Sequence, residues 1–188
     1  MTVLAIGLAL FLGIHLLPIL VPLRTRLYAA WGEARYKITF SVVSALGLAL
    51  IVYGWWIAPH GPQLFAPSPA AMRLAPYAVT LAFILLASSH GPSHLRAAVK
   101  HPMLIGVIVW ALVHLLANGD ARGTLLFGAF LAYGIVDLVS AIARGAVKTF
   151  EPQWRADVIA VVVGIVIALA VMTFHRVFFG LAVVAFSI

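Results

Sequence analysis

The sequence predicts an all-α fold, a polytopic bundle of about six transmembrane helices, on three observations. Of its 188 residues 64% are apolar and only 9% are charged, whereas a water-soluble domain carries about 25% charged residues. The apolar residues fall into six blocks, each near the ~20 residues needed to cross ~30 Å of hydrocarbon. All the lysines and arginines but Arg176 lie between the blocks rather than within them.

The first block covers residues 3–21, with Pro18 and Pro22 weakening its end by fixing φ and removing N–H donors. It has no basic leader region and no small-residue cleavage site, so it reads as a membrane helix. The second block covers 38–57. The third (74–89) and fourth (103–117) are short and are expected to gain a turn from their flanks. The fifth covers 124–143 and the sixth 158–179. Pro59, Pro62, Pro67, Pro69 and Pro76 mark the connection between blocks two and three as an extended surface loop. The whole chain, 1–188, reads as one membrane-embedded domain.

Orientation follows from the loop charges. Arg24, Arg26, Arg35, Lys37, Arg96, Lys100, Arg144, Lys148 and Arg155 follow the odd blocks, against Arg73, Arg122 and Arg176 on the opposite side. This places the odd loops in the cytoplasm and both termini on the outer side, in a multi-pass protein of the cell inner membrane. Tyr53, Trp55 and Trp56 end block two, where an aromatic belt belongs. Tyr28, Trp31 and Tyr36 among the first basic residues indicate a short interfacial segment.

The net charge of +7 does not point to nucleic acid, because the cations are scattered over loops instead of forming a patch. The bilayer is the partner they fit. The absence of cysteine excludes disulfides, Cys-ligated clusters and thiol nucleophiles. There is no glycine-rich phosphate loop, Ser-His-Asp set or pair of membrane carboxylates.

Ionisable groups within lipid are costly and mark sites by default. His15 lies roughly 9 Å from the cytoplasmic end of block one and His114 roughly 18 Å from that of block four, at 1.5 Å per residue. In block four, Val107, Trp110, Ala111, His114 and Asn118 share one helix face. That face offers a ring nitrogen, a flat aromatic surface and a small neighbour. It suits a planar macrocycle with His114 as axial ligand, or helix packing with His114 bonded across to another helix. His101 and His175 are reserve ligands. His90, Ser93, His94 and His101 crowd one loop, but Gly91-Pro92 breaks the helix that would align a metal site. Asp137 either holds the second nitrogen of a ligand histidine or pairs with Arg144. Gly7 and Gly13 thin the first helix, and Gly128, Ala132 and Gly134 thin the fifth for close helix contact.

These segments together resemble a known family. Phe11-Leu-Gly-Ile-His15, Lys100-His-Pro-Met-Leu104, Trp110-Ala-Leu-Val-His-Leu-Leu-Ala-Asn-Gly119, Leu125-Leu-Phe-Gly128, Asp137 with Ser140, Arg155-Ala-Asp157 and the run from His175 to Gly180 are similar to the NnrU family of bacterial membrane proteins. The family is associated with denitrification and with production of nitrite and nitric oxide reductases. It is also similar to plastid zeta-carotene isomerase, a membrane haem b protein. The resemblance implies haem b with His15 and His114 as the iron ligands, and the shared helix face adds Trp110 and Asn118 as cofactor-binding candidates. Ala111 stands where the isomerase has a cysteine, and Leu138 where a basic residue is expected. The resemblance implies a link to nitrite or nitric oxide reduction, or to a haem-dependent isomerase or redox activity on a lipid-soluble small molecule. The alternative is a non-enzymatic accessory or assembly factor for nitrogen-oxide reductase components, without haem.

Overall fold

A computed structural model describes residues 1–179. Residues 180–188, and with them Gly180 and the expected outward C-terminus, lie outside the described residues. The helices are α1 (Thr2–Leu16), α2 (Val21–Ile57), α3 (Pro69–Ser88), α4 (His94–Val99), α5 (Pro102–Asn118), α6 (Ala121–Ala143) and α7 (Trp154–Phe179). Four of them, α2, α3, α6 and most of α7, are long and apolar enough to cross a bilayer, and α1 and α5 are shorter apolar helices. The protein is therefore a multi-pass membrane protein whose exposed surface is rich in aliphatic side chains, as on the outward face of α7 at Val158, Val162, Val166 and Leu169.

Each block appears as a helix, with shifted edges. The first ends earlier than expected, at Leu16, and a turn through Pro18 leads directly into α2. The first part of α2, residues 21–31, carries Arg24, Arg26, Tyr28 and Trp31 of the expected interfacial segment. Gly32, whose φ of 77° and ψ of 160° break the helix, divides them from Arg35, Tyr36 and Lys37. Only glycine takes that conformation without penalty. The third block gains its expected turn at Pro69, a first-turn proline, whereas the fourth gains only one residue at each end, Pro102 and Asn118.

One expectation needs correction. Pro69 and Pro76 lie in α3, not in the loop, and Thr80 Oγ1 donates to the Pro76 carbonyl at 2.7 Å. The rest of the Pro-rich connection is the extended surface loop expected, and it is anchored. It folds over the α5–α6 turn: the Leu64 amide donates to the Gly119 carbonyl (2.8 Å), the Ala121 amide to Pro62 (3.0 Å) and the Arg122 amide to His60 (3.1 Å). Gln63 Nε2 donates to the Asn118 carbonyl at 2.8 Å. Pairing these backbone groups at the end of an apolar bundle avoids the cost of orphaning them.

Gly119 makes this cap possible. Its φ is 77°, and a Cβ there would collide with the Phe65 carbonyl. Gly119→Ala is expected to cost at least about 1–2 kcal/mol from the left-handed conformation alone. The cap should loosen with it, read as faster amide exchange at Leu64 and Ala121.

Small residues set the helix contacts. Gly7, Gly47 and Gly54 let α1 and α2 meet backbone to backbone, and Gly164 does the same for α7 against Ile84 of α3. Gly134 packs on Ile108 of α5. Gly13 and Gly128, also expected to admit a neighbouring helix, have nothing within 4 Å of a Cβ position.

Candidate functional site

Side chains of α2, α3, α5, α6 and α7 enclose a cavity of about 520 Å³. Small-molecule and cofactor sites run to ~300–1,000 Å³. The walls are mostly apolar and aromatic. The polar side chains on them are His60, His114, Asn118, Asp120, Arg122 and His175, gathered toward the end of the bundle that the Pro-rich cap closes.

The α5 face read from helical spacing is the one that meets the cavity: Val107, Trp110, His114 and Asn118 all line it. Ala111 is fully buried between helices instead. His114 Nδ1 lies 2.8 Å from the Trp110 carbonyl one turn back. A carbonyl can only accept, so Nδ1 carries the proton and Nε2 of the neutral ring keeps its lone pair. This is how ligand histidines are held when Nε2 binds a metal. The His114 ring stacks on Phe127 (centroids 4.8 Å, 29°), and Trp110 meets both Phe127 and Phe130 edge-on. The imidazole is thus fixed in tautomer and plane by its neighbours.

His15 is prepared in the same way, with Nδ1 2.6 Å from the Phe11 carbonyl, yet it does not line this cavity. Its ring sits among Phe11, Phe40 and Tyr133. Ring contacts lead from it to His114 only through Phe11, Phe130 and Trp110. The structure brings His114 together with His175, the sixth-block reserve, and with His60. His175 also contacts Phe179 (centroids 4.8 Å). His101 begins α5 at its far end, away from the cavity.

Asp137 does not hold a histidine ring. It accepts from Tyr133 Oη at 3.0 Å and faces Arg144 Nη2 at 3.8 Å. Arg144, at the C-cap of α6, donates from Nη1 to the Pro18 carbonyl (2.8 Å), while the single hydroxyl proton of Tyr133 goes to Asp137 with the His15 carbonyl 3.5 Å away. Arg144 thereby satisfies a carbonyl left open in the turn after α1.

The histidine-rich loop has a similar structural part. Asp157 of α7 accepts from the His94 and Leu95 amides (3.1 and 3.0 Å) and from His94 Nδ1 (2.7 Å). His94 stacks on Trp154 (4.2 Å). Asp157 thereby fastens the start of α4 to α7. Asp157→Ala is expected to speed amide exchange at His94 and Leu95 while leaving the cavity residues unchanged. Among the described residues no three His, Asp or Glu side chains converge as a metal cluster.

Arg122 was read from sequence only as a topology charge. It is instead a buried cavity residue, 7% exposed. Its guanidinium lies over the Trp55 ring at 4.1 Å, so Trp55 turns inward while Trp56 and Tyr53 stay exposed at the expected belt. The available signal was an arginine on the charge-poor side, directly after the Asn118-Gly119-Asp120 turn.

The NnrU protein family model matches residues 3–183. No curated protein and no solved structure matches the chain. The match spans nearly the whole sequence, and the chain belongs to the NnrU family.

Proposed function

We propose that this NnrU-family membrane protein binds haem b in the cavity, with His114 supplying an axial imidazole. The single observation that carries the reading is His114 itself. It is a proton-fixed imidazole on the wall of a largely apolar cavity of about 520 Å³. The residues fit the group. A macrocycle brings four nitrogens of its own, so one or two imidazoles suffice where a bare ion would need a larger cluster. The flat aromatic walls suit a planar ligand. Haem b bound there supplies one-electron redox chemistry.

The chain's own residues orient and shield. The Trp110 carbonyl holds the His114 tautomer, Phe127 and Trp110 hold its plane, and Val107, Phe83 and Leu126 keep the wall dry. His175 is the residue placed to offer a second imidazole, since it shares the cavity with His114 and His15 does not. The family resemblance ties this reading to nitrite and nitric oxide reduction in the inner membrane. The isomerase likeness ties it to haem-dependent chemistry on a lipid-soluble substrate.

The test is the absorption spectrum of detergent-purified protein expressed with haem supplied. A Soret band is expected in the wild type. It should be lost in His114→Ala, altered in His175→Ala and retained in His15→Ala. Loss in His15→Ala with retention in His175→Ala would restore the His15–His114 pair. A folded, colourless wild type would leave the accessory-factor reading.

A further inference from the structure

We propose that the ligand of this cavity carries a carboxylate, and that Arg122 receives it. The inference rests on the cavity being a binding site, as argued above, and names the chemistry of one end of its ligand. A guanidinium is always charged in proteins. Here it is 93% removed from solvent, by its 7% exposure, at one end of a largely apolar chamber. Burying a charge without a counter-charge is among the costliest arrangements a fold can hold.

The hydrogen-bond partners of Arg122 are neutral, and Asp120, whose carboxylate acts on it electrostatically, is not ion-paired to it. Nη1 donates to the Trp55 and Ala58 carbonyls, both at 3.0 Å, where α2 ends. The Trp55 face lies at 4.1 Å. Nε is buried with no hydrogen-bond partner. The ion pairs among the described residues are Glu33–Lys37, His94–Asp157 and Asp137–Arg144, none of which involves Arg122. Asp120 also lines the cavity, but its Oδ1 accepts from the Gly123 amide at 2.7 Å and caps α6.

With Nη1 committed to the two carbonyls and Nε shut off from the cavity, Nη2 remains. Its N–H groups can give a charge-assisted hydrogen bond to a carboxylate oxygen. The other ionisable side chains on the wall, His60, His114 and His175, add no negative charge. Two sources share this chemistry: the acidic side chains of a porphyrin, or the head of a lipid-soluble acid whose chain lies along the apolar wall. Either would set the ligand's polar end at Arg122 and its apolar body toward Trp110 and Phe83.

The test uses the full-length protein in detergent, stripped of haem. Haemin and haemin dimethyl ester are titrated in parallel, following quenching of tryptophan fluorescence, since Trp55 and Trp110 line the cavity. Wild type is expected to bind haemin roughly tenfold or more tightly than its diester, the scale of one charge-assisted bond. Arg122→Gln should bring haemin down to the level of the diester. Equal binding of the two porphyrins by wild type overturns the proposal, whether or not the variant folds. If neither porphyrin binds, the haem reading fails by itself. The same titration with a long-chain polyene fatty acid and its methyl ester then decides. Preference for the acid, lost in Arg122→Gln, supports a carboxylate site; equal affinity or no binding of either overturns it.

Discussion

Replacing His114 with glycine is expected to reduce bound haem to less than about a tenth of the wild-type level, and added imidazole is expected to restore it. An axial nitrogen is the principal covalent tie between haem iron and a protein chain, and each tenfold in affinity is about 1.4 kcal/mol. Rescue is possible because the surroundings that fix the ring, Phe127 and Trp110, are contributed by other positions. The substitution leaves a slot of imidazole shape in the wall. A fold defect would not respond to imidazole, so the rescue separates lost ligation from lost structure. If haem content is unchanged in His114→Gly, the ligand role is excluded.

The largest effect on stability is expected from adding a single methyl group at Gly54. A Cβ there would stand 2.5 Å from the Leu4 amide nitrogen and 2.7 Å from its Cα. These are backbone atoms of a facing helix, so no rotamer change relieves the overlap and α1 must move away from α2. Overpacking of this kind costs typically 1–3 kcal/mol, and about 3 kcal/mol corresponds to a fall of roughly 6–12 °C in Tm for a chain of this size. Gly13→Ala is the matched control. It lies in the same pair of helices, with nothing within 4 Å of its Cβ position, and should gain about 0.5–1 kcal/mol from reduced backbone entropy. Equal melting temperatures for the two variants would show that α1 and α2 do not meet at Gly54.

The helices were legible because hydrocarbon imposes a length and a polarity on each segment that crosses it. The six apolar blocks name six helices, though the start of the third at Pro69 reads as loop. The α5 face was legible as well, because 3.6-residue spacing alone places Val107, Trp110, His114 and Asn118 together. Which histidine from another helix joins that face was not legible. Depth along a helix cannot say how helices are arranged around one another. The sequence puts His15 first and holds His175 in reserve, whereas it is His175 that lines the cavity with His114. The anchoring of the Pro-rich loop was not legible for a related reason. Proline marks where regular structure stops, but says nothing of whether the freed amides find carbonyls in a distant turn, as they do at Gly119.

Arg122 shows the same limit from the other side. As a letter in a sequence it counts as one cation on the charge-poor face of the membrane. Only the fold reveals that its side chain runs inward, under the end of α2, to donate to the Trp55 and Ala58 carbonyls.

Haem stoichiometry of the purified wild-type protein tests the central claim most directly. Expressed with haem supplied and assayed by the alkaline pyridine spectrum against protein concentration, the chain should approach one haem b per polypeptide, a ratio that persists through gel filtration. A folded preparation with no haem above the level of an unrelated membrane protein would contradict it.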